Sequence, residues 1–166
     1  KSAITIIVKL LYKVCCKYNE KVFFQNTDDR DVFVKKGIIE LDRTQIVNGS
    51  GVNVDEYALE DFPYGDINFL CVARLLGEKG LREYAAAAKI VKEIYPNTIF
   101  NLVGAEQGSP DGLSLAEVSG WADYLNYKGE TIDVRPYIRS CHVYVLPSYH
   151  EGLPRSTLEA MSMGRP

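Results

Sequence analysis

The stretch INFLCVARL (residues 67–75) is apolar along nearly its whole length, and TIFNLVG (residues 98–104) and HVYVLPS (residues 142–148) have the same character. Strands of this kind are buried on both faces, which is typical of parallel strands covered by helices. The segment GLREYAAAAKIVKEIYP (residues 80–96) separates the first two and is long enough for a helix that ends at its proline. The alternation predicts an α/β fold.

Further helices are predicted on either side of the third strand. SLAEVSGWADYLN (residues 114–126) begins with Ser114 and Glu117 at capping-box spacing. TIDVRPYIRSC (residues 131–141) is predicted to form a short helix, and LPRSTLEAMSMG (residues 153–164) a helix with proline in its first turn. The core-facing residues of this last helix are predicted to be Leu158, Ala160 and Met161. The result is a Rossmann-like parallel sheet with helices on both faces.

The first fifty residues continue the alternation. AITIIVKLLYKVCCKY (residues 3–18) predicts a helix with a basic stripe of lysines four residues apart. KVFFQN (residues 21–26) predicts a strand, TDDRDVFVKKG (residues 27–37) a helix, and TQIVNGSGVN (residues 44–53) a strand that enters a glycine turn. We therefore expect residues 1–20 to form a connecting helix and residues 21–166 to form one domain.

The role of the first helix has two interpretations. Lys9 interrupts the apolar run, and no small-residue cleavage site follows, which argues against a signal peptide. The run is also too short for a transmembrane span. A partly buried connecting helix is favoured, and a peripheral membrane contact is the alternative.

Composition excludes some classes of function. The chain has 166 residues, of which 46% are hydrophobic, and a net charge of −3, so one globular core is expected and no basic field attracts nucleic acid. The four cysteines lack the spacing of a metal site. Buried free thiols in a reducing cytoplasm are the favoured interpretation.

Ligands of parallel α/β sheets bind outside the carboxyl ends of the strands, so the loops there are the candidate site. Arg74 and Lys79 follow the first of the three strands in a glycine-containing turn. An arginine fork and a lysine point charge suit a diphosphate. The alternative is a solvated loop with an ion pair at the start of a helix.

The loop SYHEGLPRSTLE after the third strand carries two glutamates. The amides of Gly152 and Leu153 precede a helix, where unpaired N–H groups favour a phosphate. Glu151 lies before this point, while Glu159 lies roughly 8 Å further along the helix axis at 1.5 Å per residue. We expect one glutamate to face a sugar and the other to bind a hydroxyl pair of a nucleoside. Alternatively, Glu151 stabilises the helix dipole, and Glu159 forms a capping box with Ser156.

Three other candidates, an aspartate pair and two histidines, give weaker signals. Asp29 and Asp31 have the spacing of a divalent-ion motif, but they open a helix and more simply stabilise its dipole. His142 begins a strand and is expected to be structural. His150 adjoins Glu151 and could reach a substrate, although one loop histidine is a weak signal.

Taken together, VARLLGEKG, FNLVG and YVLPSYHEGLPRSTLEAMSMGRP (residues 72–80, 100–104 and 144–166) resemble the retaining glycosyltransferases of family 4, group 1, whose hallmark is two glutamates separated by seven residues. IVNGSGVN (residues 46–53) is similar to the domain entry of members that act in capsule and lipid-linked oligosaccharide synthesis. The resemblance covers roughly residues 20–166. It implies a GT-B enzyme of which this chain is most of the C-terminal, nucleotide-sugar-binding domain, truncated at its end.

The resemblance also implies roles for particular residues. Arg74 and Lys79 would hold the diphosphate of the sugar donor, and the amides of Gly152 and Leu153 would lie near the donor. Glu151 would be the catalytic residue beside the transferred sugar. The other predicted contacts are Glu159 with the ribose hydroxyls and NYKG (residues 126–129), around Tyr127 and Lys128, near the base. Neither a tightly bound metal nor another cofactor is expected.

The function implied is transfer of a hexose, with retention, from a nucleotide-sugar, favoured to be a UDP-sugar, to a saccharide or lipid-linked acceptor. Cell-surface polysaccharide synthesis in the cytoplasm, or at the inner face of the membrane, is the expected setting. Because the chain starts without Met and would lack the acceptor domain, we expect it to be inactive alone. The alternatives are a nucleotide-sugar epimerase, a phosphorylase-like domain, and a non-catalytic α/β module.

Overall fold

The computed structural model describes residues 3–166. Their contacts group them into two compact units, one made of residues up to Gly51 together with Gly152–Pro154, and the other of Val52–Glu151 and Arg155–Pro166. The boundary predicted between residues 20 and 21 stays a prediction. Residues 1 and 2 of the predicted connecting helix lie outside the described residues. None of the helices in the described range is long and apolar enough to cross a membrane.

The larger unit is built on one parallel sheet of four strands. Its strands lie in the order β5 (Asn126–Tyr127), β4 (Ile99–Val103), β3 (Asn68–Val72) and β6 (Val143–Tyr144). All neighbouring strands are parallel, and β3 pairs with β4 from Asn68 opposite Ile99 to Val72 opposite Val103. The sequence predicted β3, β4 and β6 as strands, whereas β5 was noted only as part of a strand-end region.

Helices cover both faces of this sheet. Successive strand residues point to opposite sides, so strands that are apolar throughout give the sheet two apolar faces to bury. On one face, α3 (Leu81–Ile94) packs Leu81, Tyr84 and Ala88 against Cys71, Phe100 and Leu102. On the other face, α5 (Arg135–Ser140) and α6 (Arg155–Ser162) contribute Ile138 and Ala160 to a core with Leu70 and Val103. The predicted α/β fold with a parallel sheet covered on both faces is confirmed.

Three details of the helices differ from the predictions. The helix α4 (Leu115–Ser119) is shorter than predicted, although Ser114 caps it by accepting a hydrogen bond from the Glu117 N–H at 3.2 Å. The helix α6 begins at Arg155, one residue after Pro154. Met161 is 63% exposed and Met163 is buried in its place, because the side of α6 that faces the core carries Glu159 and Ala160.

A buried arginine closes the larger unit. Arg165 is only 1% exposed, and its guanidinium donates hydrogen bonds to four backbone carbonyls, those of Ile138, Glu60, Asp61 and Arg139, at 2.8–3.2 Å. Because a buried cation without partners is very costly, these carbonyls make its burial tolerable. Arg165 thereby ties residues 60–61 to α5.

The smaller unit contains α1 (Ala3–Lys17), β1 (Val22–Phe24), α2 (Thr27–Lys35) and β2 (Thr44–Ile46). The two strands pair in parallel, and Cys16, Phe24, Ile38 and Ile39 form a small core. The predicted acids at the start of α2 are present, and the Asn26 side chain caps the helix by accepting from the Asp29 N–H. This cap was not predicted.

The surface of α1 is unusually apolar. Its apolar side chains from Ile4 to Val14 are 42–72% exposed, and a cavity of about 600 Å³ lies between α1 and α2. Lys9, Lys13 and Lys17 lie along the same helix. Cys15 is exposed, which corrects the expectation that every thiol is buried; Cys16, Cys71 and Cys141 are buried, and all four are free.

Candidate active site

The candidate site lies at the carboxyl edge of the four-stranded sheet. The ends of β3 and β4 approach each other closely there. Leu75 N–H donates to Ala105 O at 2.9 Å, and a Cβ atom on Gly104 would lie 1.8 Å from Ala73 O. Only glycine fits at position 104, so the two strand ends form one continuous floor.

A cavity of about 210 Å³ opens on this floor. Its lining comes from the ends of β3 and β4 and from residues 130–134, and includes Arg74, Gly104, Glu130 and Thr131. Arg74 is exposed, and its side chain forms no hydrogen bond or ion pair with any other described residue. Its guanidinium is therefore available to a ligand at the position where the sequence placed the diphosphate.

Lys79 lies in the short 3-10 turn Gly77–Lys79 that precedes α3. A second residue, Asp111, holds this turn in place. Its carboxylate accepts from the Glu78 N–H at 2.8 Å, and its carbonyl accepts from the Gly77 N–H at 2.9 Å. Asp111 could not be predicted from the sequence, because nothing local indicates that its partners lie more than thirty residues earlier.

Lys79 and Glu151 form an ion pair. Lys79 Nζ lies 2.7 Å from Glu151 Oε1, and the two side chains are only 14% and 27% exposed. Partial burial acts to raise the pKa of Glu151, but the hydrogen bonds of Lys79 and Ser148, with the charges of Lys79 and His150, outweigh it and lower that pKa. Glu151 is therefore a carboxylate at neutral pH, held against the lysine that was expected to bind a diphosphate.

Glu159 is the more deeply buried of the two acids. It is 7% exposed, and its Oε1 accepts from Arg155 Nε at 2.9 Å, one turn earlier on α6. Burial raises the pKa of Tyr57, and the charge and hydrogen bond of Glu159 raise it further. Ser156 lies inside the helix and its Oγ accepts from the Tyr144 hydroxyl at 2.6 Å. The capping-box alternative for Ser156 and Glu159 is thus wrong.

The predicted residues at the base end lie at the end of β5. Lys128 is exposed, and its backbone N–H donates to Leu102 O at 2.8 Å, which fixes it beside β4. The Tyr127 hydroxyl donates to Gly104 O at 2.7 Å. Burial, with the charges of Glu106 and Glu130, raises the pKa of this phenol. Lys128 follows β5 and Arg74 follows β3, and these two strands lie on either side of β4 in the sheet.

Gly152 and Leu153 group with the smaller unit. The Leu153 N–H donates to the Gln25 side-chain oxygen at 3.2 Å. A Cβ atom on Gly152 would lie 2.5 Å from that same oxygen. A ligand that used the Leu153 amide would have to replace Gln25, which the sequence did not reveal.

The remaining candidates are structural. The Asp29 N–H donates to the Asn26 side chain, and Asp31 pairs with Arg30 at 2.7 Å. His142 is buried, and its Nδ1 accepts from the Asn68 N–H at 3.1 Å. Within residues 3–166, no group of three or more His, Cys, Asp and Glu side chains is arranged to hold a metal ion. The expectation that no metal is used stays a prediction.

A parallel sheet covered on both faces, with a cavity and opposed charges at the carboxyl ends of its strands, defines a Rossmann-like domain of the kind that binds ligands at this edge. Residues 66–166, more than half of the chain, match the family described as glycosyl transferases group 1. The chain therefore belongs to the group 1 glycosyltransferases. The assignment to family 4 and the retaining stereochemistry stay predictions.

Two relatives match almost the whole chain. One is the N,N'-diacetylbacillosaminyl-diphospho-undecaprenol alpha-1,3-N-acetylgalactosaminyltransferase of Campylobacter jejuni, 26% identical over 98% of this chain and 45% of that protein. The other is the UDP-Gal:alpha-D-GlcNAc-diphosphoundecaprenol alpha-1,3-galactosyltransferase of Escherichia coli, 25% identical over 96% of this chain and 46% of that protein. The chain spans about half the length of these relatives.

Solved structures share the fold. The Anabaena protein HepE in complex with UDP has a TM-score of 0.75 at 18% identity, covering 93% of this chain and 46% of that one. The structure described as trehalose-6-phosphate from E. coli bound with UDP-2-fluoro glucose has a TM-score of 0.73 at 16% identity, covering 93% and 45%. These neighbours place the chain in the GT-B fold.

Proposed function

We propose that the chain contains the sugar-donor site of a retaining hexosyltransferase that uses a UDP-sugar and a saccharide or lipid-linked acceptor in cell-surface polysaccharide synthesis. The observation that carries the proposal is the Lys79–Glu151 ion pair, 2.7 Å long, at the carboxyl edge of the sheet. A diphosphate can replace the carboxylate as the partner of Lys79, because both are oxygen anions that accept from an ammonium group.

The residues of this edge would divide the donor between them. Arg74, exposed beside the strand-end cavity, would bind the diphosphate with Lys79. Glu151, released from Lys79, would face the transferred sugar, where a carboxylate stabilises developing positive charge. Glu159, fixed by Arg155, would accept from the ribose hydroxyls. Lys128, at the end of β5, would lie near the base.

Retention would follow if the acceptor attacks from the side of the leaving diphosphate. The leaving phosphate oxygen would take the acceptor proton, so no protein base is needed on the opposite face. In this scheme Glu151 does not form a bond to the sugar, and its contribution is electrostatic.

The whole enzyme would include a second Rossmann-like domain that binds the acceptor. The chain spans about half of its relatives, and α1 exposes apolar side chains that another domain would cover. This chain alone would then not transfer sugar, because cleft closure orients the acceptor and excludes water. The competing role for α1, contact with the inner face of the membrane through its lysines, is tested by sedimentation with anionic vesicles.

The test is calorimetric titration of the chain with UDP, GDP and ADP. UDP should bind, and Arg74→Ala and Glu159→Ala should each weaken it. The matched control is Arg139→Ala, which removes an exposed arginine of α5 that pairs with Glu60. If no nucleotide binds any form, the proposal fails and a non-catalytic α/β module becomes the better explanation.

A further inference from the structure

Residues 147–151, which connect β6 to the Glu151 carboxylate, are attached to the start of α3 by contacts other than the ion pair. The Tyr149 N–H donates to Glu78 O at 3.0 Å. The Tyr149 hydroxyl donates to Glu83 Oε1 at 2.5 Å. Pro147 O lies so close to Gly80 that a Cβ atom there would be 2.1 Å away. Three points of this segment are thus fixed before Glu151 is reached.

We propose that Tyr149 and Glu83 form a clamp that positions the Glu151 carboxylate at Lys79. This inference rests on the proposed function, since it assigns two positioning residues to the same site. Neither residue would touch the donor. Both act through the segment that carries Glu151.

The geometry supports this role over an ordinary surface contact. Tyr149 is 72% exposed, so its ring contributes little apolar burial that would hold it in place. Its hydroxyl nevertheless donates a short hydrogen bond to a carboxylate, and such charge-assisted bonds are about twice as strong as neutral ones. The bond spans 66 residues of sequence, so it fixes two elements of the fold relative to each other.

Glu83 has a simpler explanation as an acid in the first turn of α3, where it stabilises the helix dipole. The hydrogen bond from Tyr149 is, however, the largest influence on its carboxyl and lowers its pKa. The same bond raises the pKa of Tyr149. Each group therefore holds the other in the protonation state that maintains the clamp at neutral pH.

The position of the clamp explains why it matters for Glu151. Tyr149 is two residues before Glu151, and Glu83 is four residues after Lys79. The clamp and the Lys79–Glu151 pair are therefore two separate contacts between the same two segments, residues 79–83 and residues 149–151. Without the clamp, the segment before Glu151 would lose the side-chain bond that attaches it to α3, and Glu151 would leave Lys79 more often.

The first experiment needs no substrate. The side-chain carboxyl of Glu151 is titrated by ¹³C NMR in the wild-type chain, in Tyr149→Phe and in Glu83→Ala. We expect the pKa of Glu151, lowered in the wild type, to rise towards its ordinary value in both variants. We expect exchange of the Tyr149 amide hydrogen to accelerate about two- to tenfold, as loss of one hydrogen bond allows.

Matched controls and a conservative variant complete the design. Tyr95→Phe removes the hydroxyl of an exposed tyrosine at the other end of α3, and Glu93→Ala removes an exposed acid on the same helix. Neither change should alter the pKa of Glu151. Glu83→Gln retains an acceptor for the Tyr149 hydroxyl and should restore most of the wild-type behaviour. An unchanged Glu151 titration in Tyr149→Phe overturns the clamp.

The second experiment separates the clamp from the proposed function. UDP affinity is measured for wild type, Glu151→Gln, Tyr149→Phe and the double variant. If the clamp positions Glu151, the effect of Glu151→Gln on UDP affinity becomes smaller in the Tyr149→Phe background. An effect of equal size in both backgrounds contradicts the clamp. If UDP binds no form, the proposed function fails, and the NMR titration still decides the clamp.

Discussion

Replacement of Glu151 by glutamine is predicted to tighten UDP binding while it abolishes transfer by the whole enzyme. In the unliganded chain, Lys79 Nζ already has a carboxylate partner at 2.7 Å. UDP must compete with that carboxylate for Lys79 and also approach its negative charge. Glutamine keeps the size and a hydrogen-bond acceptor but removes both obstacles.

The magnitude follows from the exposure of the pair. The Lys79 and Glu151 side chains are 14% and 27% exposed, so solvent screens the pair in part. Pairs that retain access to water contribute about 0.2–1 kcal/mol, and we therefore expect Glu151→Gln to bind UDP about 1.4- to fivefold more tightly. Transfer should be lost, because the charge that faces the sugar is lost.

The pH dependence provides an independent check. The pKa of Glu151 is lowered in the folded chain, so the ion pair and its stabilisation are fully present above the ordinary glutamate range and are lost as the pH falls through the lowered pKa. The affinity gap between wild type and Glu151→Gln should therefore close in acid. Both proteins are titrated with UDP by calorimetry at each pH.

Glu93→Gln makes the same change of charge at an exposed position on α3, so it serves as the control and should not reproduce the tighter binding. Weaker UDP binding by Glu151→Gln at neutral pH would refute the reasoning. It would mean that Glu151 contributes to the nucleotide site instead of competing with the diphosphate.

Three further predictions concern the framework around the site. Arg165→Met should lower the free energy of unfolding by about 3 kcal/mol, because buried carbonyls lose their donor; urea denaturation measures this. Gly80→Ala should cost about 2 kcal/mol or more, since Gly80 has φ +67° and Pro147 O leaves no room for a Cβ; a loss below half that value contradicts the packing. Cys15 should be the one thiol that reacts quickly with an aromatic disulfide at pH 8, because it is exposed while the other three are buried, and burial raises the pKa of Cys71 to about 12. All four thiols should react in denaturant.

Most of the fold could be predicted from local sequence patterns. The strands β3 and β4 were predictable because each is apolar along nearly its whole length, and the helix α3 because it is long enough to show its period and is followed closely by Pro96. The strand β5 has two residues and so has no period to detect. Met161 was assigned to the core because it is apolar, whereas the buried side of α6 carries Glu159, and an acid gives no apolar signal.

The positions of the candidate site residues were predictable, but their partners were not. Parallel strands bring their carboxyl ends to one edge, so loops at the ends of β3 and β6 had to converge wherever the sheet formed. The pairing of Lys79 with Glu151 depends on the path of residues 147–151, which only tertiary contacts fix. Likewise, the Leu153 N–H donates to the side chain of Gln25, which lies 128 residues earlier in the sequence.

The two acids of the site differ in the way their positions are secured. Arg155 and Glu159 are one helical turn apart, so their ion pair lies within α6 and needs no contact with another element. The ion pair of Glu151 is with Lys79, 72 residues earlier, so it depends on the fold and on the segment before Glu151. In the proposed function, Glu159 would bind the ribose and hold its geometry throughout the catalytic cycle, whereas Glu151 would first exchange Lys79 for the substrate. A rigid pair within one helix and an exchangeable pair between two loops match these two requirements.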